Sequence, residues 1–241
     1  MIRVYYHPAC YTSYRLLKAI SDNNMTKLVE LIDMSVNYHL AISRQILTVP
    51  LIEKNGKQIY GGPIDIEKAL ALISNGNLSI NIENVKEALV LAISDSAAIS
   101  SILYSYGSVK PLNEFYGFLN SSTGIALDKM QKKKIKEIYR IVNEDNQLYN
   151  EVEGKMIANL AYNKVRESIY MNINDQTQES FIMWFVSKAS IGRAGVPYKN
   201  TEVIRKKGLQ IYEYYMERKE KINEKLLNEF QEIKNGMLNI K

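Results

Sequence analysis

The chain has 241 residues, 46% apolar and 24% charged, an ordinary globular composition with room for one large domain or two modest ones. It has no uncharged apolar run of about 18 residues, which argues against a membrane span; its single cysteine excludes an intrachain disulfide framework and a cysteine-rich zinc site. The net charge of +5 is spread out, with 8 Lys/Arg and 6 Asp/Glu in residues 1–76 and 23 and 20 in the remainder, whereas a nucleic-acid binder concentrates its charge, so nucleic acid is not the expected partner.

The N-terminal stretch lacks the basic-then-apolar layout of a secretory leader, because Pro8, Cys10 and Arg15 interrupt it, and a cytoplasmic location is expected. Ile2-Arg3-Val4-Tyr5-Tyr6 reads as a strand. Cys10 to Asn23 places Tyr14, Leu17, Ala19 and Ile20 at near-helical spacing, and Lys27 to Met34 is a second strand. Asn37 to Ile46 suits a short helix. Thr48 to Glu53 and Lys57 to Tyr60 form a hairpin through Asn55-Gly56, a dipeptide that favours the tight primed turn. Gly61-Gly62 ends the second strand of that pair. A helix over Pro63–Ser74 follows, with proline near its first turn. The order β-α-β-α-β-β-α predicts a parallel first pair of strands and an antiparallel final pair.

After the turn-rich Asn75-Gly76-Asn77-Leu78-Ser79 the texture changes. Helical periodicity covers roughly 82–105, 110–120, 124–145, 147–171, 175–191 and 200–235. The expected organisation is an α/β domain over residues 1–76 and an all-helical domain over 82–241. The basic run Gln131-Lys132-Lys133-Lys134-Ile135-Lys136, closed by Glu137, reads as a solvated helix face. Phe181, Trp184 and Phe185, like Tyr212, Tyr215 and Met216, have the spacing of core stripes. Ser190 to Pro197 is rich in small residues but lacks a Gly-Lys-Ser/Thr ending and a preceding strand, so it reads as an interhelical connection.

Cys10 carries the strongest chemistry. It follows a strand and opens a helix in His7-Pro8-Ala9-Cys10-Tyr11-Thr12-Ser13, where the positive helix end and its unpaired N–H groups favour thiolate over thiol. Ser13, one turn on, is placed for its hydroxyl to donate to the sulfur. The alternative reading of Cys10 is a buried structural cysteine. His7 reads either as a base for Cys10 or, ahead of Pro8, as a solvent-facing residue; His39 reads as a surface or core-edge residue. With only two histidines, a metal site would rest mainly on carboxylates, and none is expected.

Tyr6-His7-Pro8-Ala9-Cys10-Tyr11-Thr12-Ser13, Thr48-Val49-Pro50 and Tyr60-Gly61-Gly62-Pro63-Ile64-Asp65 together resemble the thioredoxin fold in its glutaredoxin form, over about 75 residues. The resemblance implies that Cys10 is the nucleophilic thiol, with Ser13 where dithiol members have a resolving cysteine. It implies a cis Pro50 facing the thiol, a Val49 backbone that pairs with a bound thiol peptide or glutathione-like molecule, Gly62 among the substrate-binding residues, and Asp65 at the ligand's amine end. Ile64 departs from the acidic or hydroxyl residue the family places after Gly-Gly. The two-part layout also resembles glutathione S-transferases, which carry a Glu/Gln/Asp-Ser pair where this chain reads Gly61-Gly62-Pro63.

The implied function is thiol–disulfide exchange by a monothiol, with glutathione or another low-molecular-weight thiol as co-substrate and a thiol- or disulfide-bearing protein or small molecule as partner. The helical half would wall the cleft or make a homodimer. Rival readings are a non-catalytic binding module, a carrier in which Cys10 from two subunits and two external thiols hold a [2Fe–2S] centre, and a transferase.

Overall fold

The computed structural model describes residues 1–173, 175–190 and 201–237. Its N-terminal part is a four-stranded mixed sheet. The strands are β1 (Ile2–Tyr6), β2 (Val29–Asp33), β3 (Leu51–Lys54) and β4 (Lys57–Gly61), in the order β2-β1-β3-β4. β1 and β2 are parallel, joined through helix α1 (Tyr11–Asp22); β1–β3 and β3–β4 are antiparallel. The β3–β4 turn has φ of 50° at Asn55 and 81° at Gly56, the two positive angles the Asn-Gly pair supplies.

The central strands are covered on both faces, so adjacent residues enter different cores. Val4 and Ile52 pack with Leu16 and Ile20 of α1 and with Ala69, Leu72 and Ile73 of α3 (Ile66–Asn75). Their neighbours Tyr5 and Leu51 pack on the opposite face with Met34 and Ile46, beside the short α2 (His39–Ser43). The expected helix at Pro63 begins later: Asp65 is the N-cap of α3, which leaves Pro63 outside. The Val49–Pro50 peptide is cis, as the resemblance implied.

A helical region follows: α4 (Val85–Asp95), α5 (Ala97–Tyr106), α6 (Tyr116–Ser122), α7 (Gln131–Glu144), α8 (Leu148–Tyr170), α9 (Gln178–Ser190), α10 (Thr201–Glu217) and α11 (Lys219–Met237). Among the described residues no strand lies beyond β4; Ile80 and Asp128 make one isolated bridge. No single helix among them is long and apolar enough to cross a membrane.

Several expected helices are divided or shortened; that over 110–120 splits at Phe115 into a 3₁₀ turn (Lys110–Glu114) and α6. The 82–105 pattern breaks at Ser96, where α4 and α5 turn by 98°. Ser96 Oγ accepts the Ile99 N–H at 3.1 Å and donates to the Leu47 carbonyl at 2.5 Å, so the corner is pinned to the sheet region. α7 starts at Gln131 rather than 124, because Asp128 ends the preceding turn: its carboxylate accepts N–H bonds from Ile82 and Met130, each at 2.7 Å. The 200–235 pattern divides at Arg218 into α10 and α11.

Lys132, Lys133 and Lys136 are exposed, in keeping with a solvated face. Phe181 and Phe185 are buried, Phe181 stacking on Tyr215 at 5.0 Å. Met216 is 45% exposed, so it drops out of its expected core stripe. The 191–197 part of the expected interhelical connection lies outside the described residues.

Candidate functional site

Cys10 is the N-cap of α1, with φ −91° and ψ 116°, and its thiol is free and half-buried. The Ser13 backbone N–H donates to Sγ at 3.5 Å, and the Cys10 thiol donates to the Val49 carbonyl at 3.6 Å. The thiolate therefore has a donor and the protonated thiol an acceptor, and the sulfur is held by partners from both the helix and the loop before β3. The expected Ser13 hydroxyl contact is replaced by this amide contact. Ser13 is 1% exposed and its Oγ instead accepts the His7 N–H at 3.4 Å, which ties the strand end to the helix start.

His7 points neither to solvent nor at the thiol. Its Nδ1 accepts the Ala9 N–H at 3.1 Å, and its ring meets Tyr170 of α8 edge-on at 5.4 Å. Burial pushes its pKa below the ordinary histidine value, against the opposing pull of Glu167 and Asp33. His7 thus holds the Pro8–Ala9 turn as a neutral acceptor. His39 sits in α2 and touches Tyr38.

Pro50 is buried next to the thiol's acceptor, and its carbonyl takes the Gly62 N–H at 3.0 Å. Gly62 has φ +69°, a conformation glycine adopts without a Cβ penalty. Cys10, Val49, Pro50 and Gly62 are therefore brought together. Asp65 is committed elsewhere: its carboxylate accepts the Lys68 N–H at 3.1 Å and lies 3.4 Å from Lys68 Nζ. The backbone bond from Lys68 is the main reason its pKa falls below the usual carboxylate range. Ile64, the departure from the resembled pattern, is 9% exposed and packs in the sheet core with Tyr60 and Leu72.

The helical region closes on this turn from two sides. α8 supplies Arg166, Glu167 and Tyr170, and α11 packs along α1, where Tyr11 donates to Glu232 at 2.8 Å. A crevice of about 10 Å³ remains between Ala9, Ile169, Phe230 and Ile233. A space of that size holds about one water molecule.

The Gly62 side is polar. A Cβ built on Gly62 would lie 3.3 Å from Asp95 Oδ2, 3.3 Å from Thr48 Oγ1 and 3.6 Å from Ser122 Cβ. Asp95 is open to solvent yet surrounded by enough protein to raise its pKa to about 6, desolvation outweighing the pull of Arg166. Ser122 is 4% exposed and its Oγ has no partner; Arg166 Nε is likewise buried and unpartnered.

Sequence reading missed Asp95, Ser122 and Arg166. Each sits in a helix whose pattern reports only its apolar face, and no local motif marks them. No group of three potential ligating side chains that could hold a metal occurs among the described residues. The chain matches no protein-family model, no curated protein and no solved structure.

Proposed function

We propose that this chain is a monothiol redox protein of the thioredoxin fold, glutaredoxin-like, in which Cys10 exchanges with the disulfide of a small thiol or of a protein. The observation that carries the reading is the seat of the sulfur: the chain's sole cysteine caps α1, with Sγ between the Ser13 amide and the Val49 carbonyl. The four-stranded mixed sheet with flanking helices, followed by a helical region, supports the fold assignment.

The chemistry is a thiolate displacement. Cys10 Sγ attacks one sulfur of R–S–S–R′, the Cys10–S–S–R bond forms as the old S–S bond breaks, and R′S⁻ leaves. The chain has no second cysteine. An external thiolate therefore attacks the sulfur of R in the mixed disulfide and releases Cys10. The Ser13 N–H is placed to stabilise the anionic sulfur before attack and after release.

Mass spectrometry after incubation with glutathione disulfide tests the first step. The expected product is one adduct per chain, on Cys10, lost in Cys10→Ser. Insulin reduction tests the second: the native chain is slow, and Ser13→Cys is faster because it adds a thiol one helical turn away. A native chain as fast as Ser13→Cys overturns the monothiol cycle. A Cys10 that forms no adduct with any disulfide overturns the exchange reading and leaves a binding module.

A further inference from the structure

Several charges around the Cys10 turn are paired. Arg166 contacts Glu229 at 3.3 Å, Glu167 contacts Lys188 at 2.7 Å and accepts the Trp184 N–H at 2.8 Å, and Asp65 pairs with Lys68. His7 is held neutral by burial. Asp95 has no hydrogen bond or ion pair among the described residues; Arg166 acts on it only as a more distant charge. Beside the same point next to Gly62 stand Thr48 Oγ1 and Ser122, whose buried hydroxyl has no partner.

Buried polar atoms in folded proteins are ordinarily satisfied. Asp95 Oδ2 and Thr48 Oγ1 each lie 3.3 Å from the same point beside Gly62, and the buried Ser122 hydroxyl nearby has no partner, so this spot offers acceptors to an incoming donor. An alkylammonium group fits it: three N–H donors, no acceptor and a positive charge. The path from Cys10 runs through the Val49 carbonyl, Pro50 and the Pro50–Gly62 hydrogen bond, about three residues of chain and on the order of 10 Å. A molecule joined to the sulfur reaches Asp95 with a short chain.

We propose that Asp95 is the cation-recognition residue of the Cys10 groove, and that the groove selects small thiols and disulfides bearing an ammonium group over anionic ones. The proposal rests on the exchange role of Cys10. It adds a substrate class to that role and assigns the helical region its part in recognition, since Asp95 closes α4 and Ser122 closes α6.

Three methanethiosulfonates differing only in charge test it: aminoethyl (cationic), sulfonatoethyl (anionic) and methyl (neutral). In each case the Cys10 thiolate attacks the sulfenyl sulfur, a Cys10–S–S–R bond forms and methanesulfinate leaves. Second-order rates on the full-length chain are divided by those of free cysteine. The expected result is a cationic-to-anionic ratio about tenfold above that of free cysteine, as one uncompensated carboxylate near the sulfur implies. In Asp95→Asn the ratio collapses toward that of free cysteine with the methyl rate unchanged, and in Asp95→Lys it inverts. A reactive Cys10 with the same ratio in native and Asp95→Asn chains overturns this proposal and leaves the exchange role standing. A Cys10 inert to all three reagents overturns both.

Discussion

Two carboxylates, Glu53 in the sheet region and Asp95 in the helical region, show opposite treatment of a polar group. Glu53 is 2% exposed and fully answered: Arg44 at 2.6 Å, Arg3 at 3.4 Å and the Tyr5 hydroxyl at 3.1 Å. Arg44 closes the ring by donating to the Tyr5 oxygen at 2.6 Å. Asp95 is open to solvent, and the described residues offer it no partner. The comparison separates polar groups that hold the fold, which are saturated by protein partners, from polar groups held open for something else.

The sharpest way to break the comparison is to remove each carboxylate in turn. Glu53→Ala leaves Arg44 and the Tyr5 hydroxyl half-buried without their acceptor and is expected to cost about 3 kcal/mol, read by urea denaturation. Asp95→Ala is expected not to lower the denaturation midpoint at neutral pH, since it removes a desolvated charge; a loss of similar size would make Asp95 a structural residue.

Next in size is the coupling of the two regions. Leu47, from the loop before β3, belongs to the helical core, and Leu127, from the helical region, belongs to the sheet core. Leu47→Ala and Leu127→Ala are each expected to cost about 3 kcal/mol while unfolding stays a single transition by circular dichroism and tryptophan fluorescence together. Two separated transitions would show that the regions are independent.

Smaller is the loss of the α3 cap: Asp65→Ala is expected to cost about 1 kcal/mol and to leave adduct formation on Cys10 intact. Loss of adduct formation at unchanged stability would return Asp65 to ligand binding.

A separate test is a slope with pH. The folded pKa of Asp95, about 6, lies above the ordinary value of 3.8, so the folded chain binds the proton more tightly than the unfolded one. Its contribution to stability is complete below about pH 4 and is lost as pH rises through 6. Native minus Asp95→Asn stability should therefore fall across that window and be flat above it; a flat difference throughout would remove the desolvated groove.

The sheet region was readable in the sequence because its decisive features are local. Asn55-Gly56 specifies a turn by its two backbone angles, and the β-rich run Ile2-Arg3-Val4-Tyr5-Tyr6 marks a strand. Cys10 at a strand–helix junction marks an N-cap. The corner at Ser96 was not readable, since its cause is a bond to Leu47, 49 residues away in the chain. Asp95 and Ser122 were hidden for the same reason: they lie in two helices that come together only beside Gly62. Ser13 shows a finer limit. Its spacing from Cys10 placed it correctly, but spacing does not say whether the amide or the hydroxyl makes the contact.

The Tyr11–Glu232 bond that fastens α11 to α1 joins residues 221 positions apart. At a synthesis rate of roughly 5–20 residues per second, about 10–45 s separate the emergence of the thiol's helix from that of the helix covering it. During that interval the nascent chain presents Cys10 with one wall of its surroundings absent. A helix made long after α1 therefore completes the surroundings of Cys10, and the thiol gains that wall only when translation has passed α11.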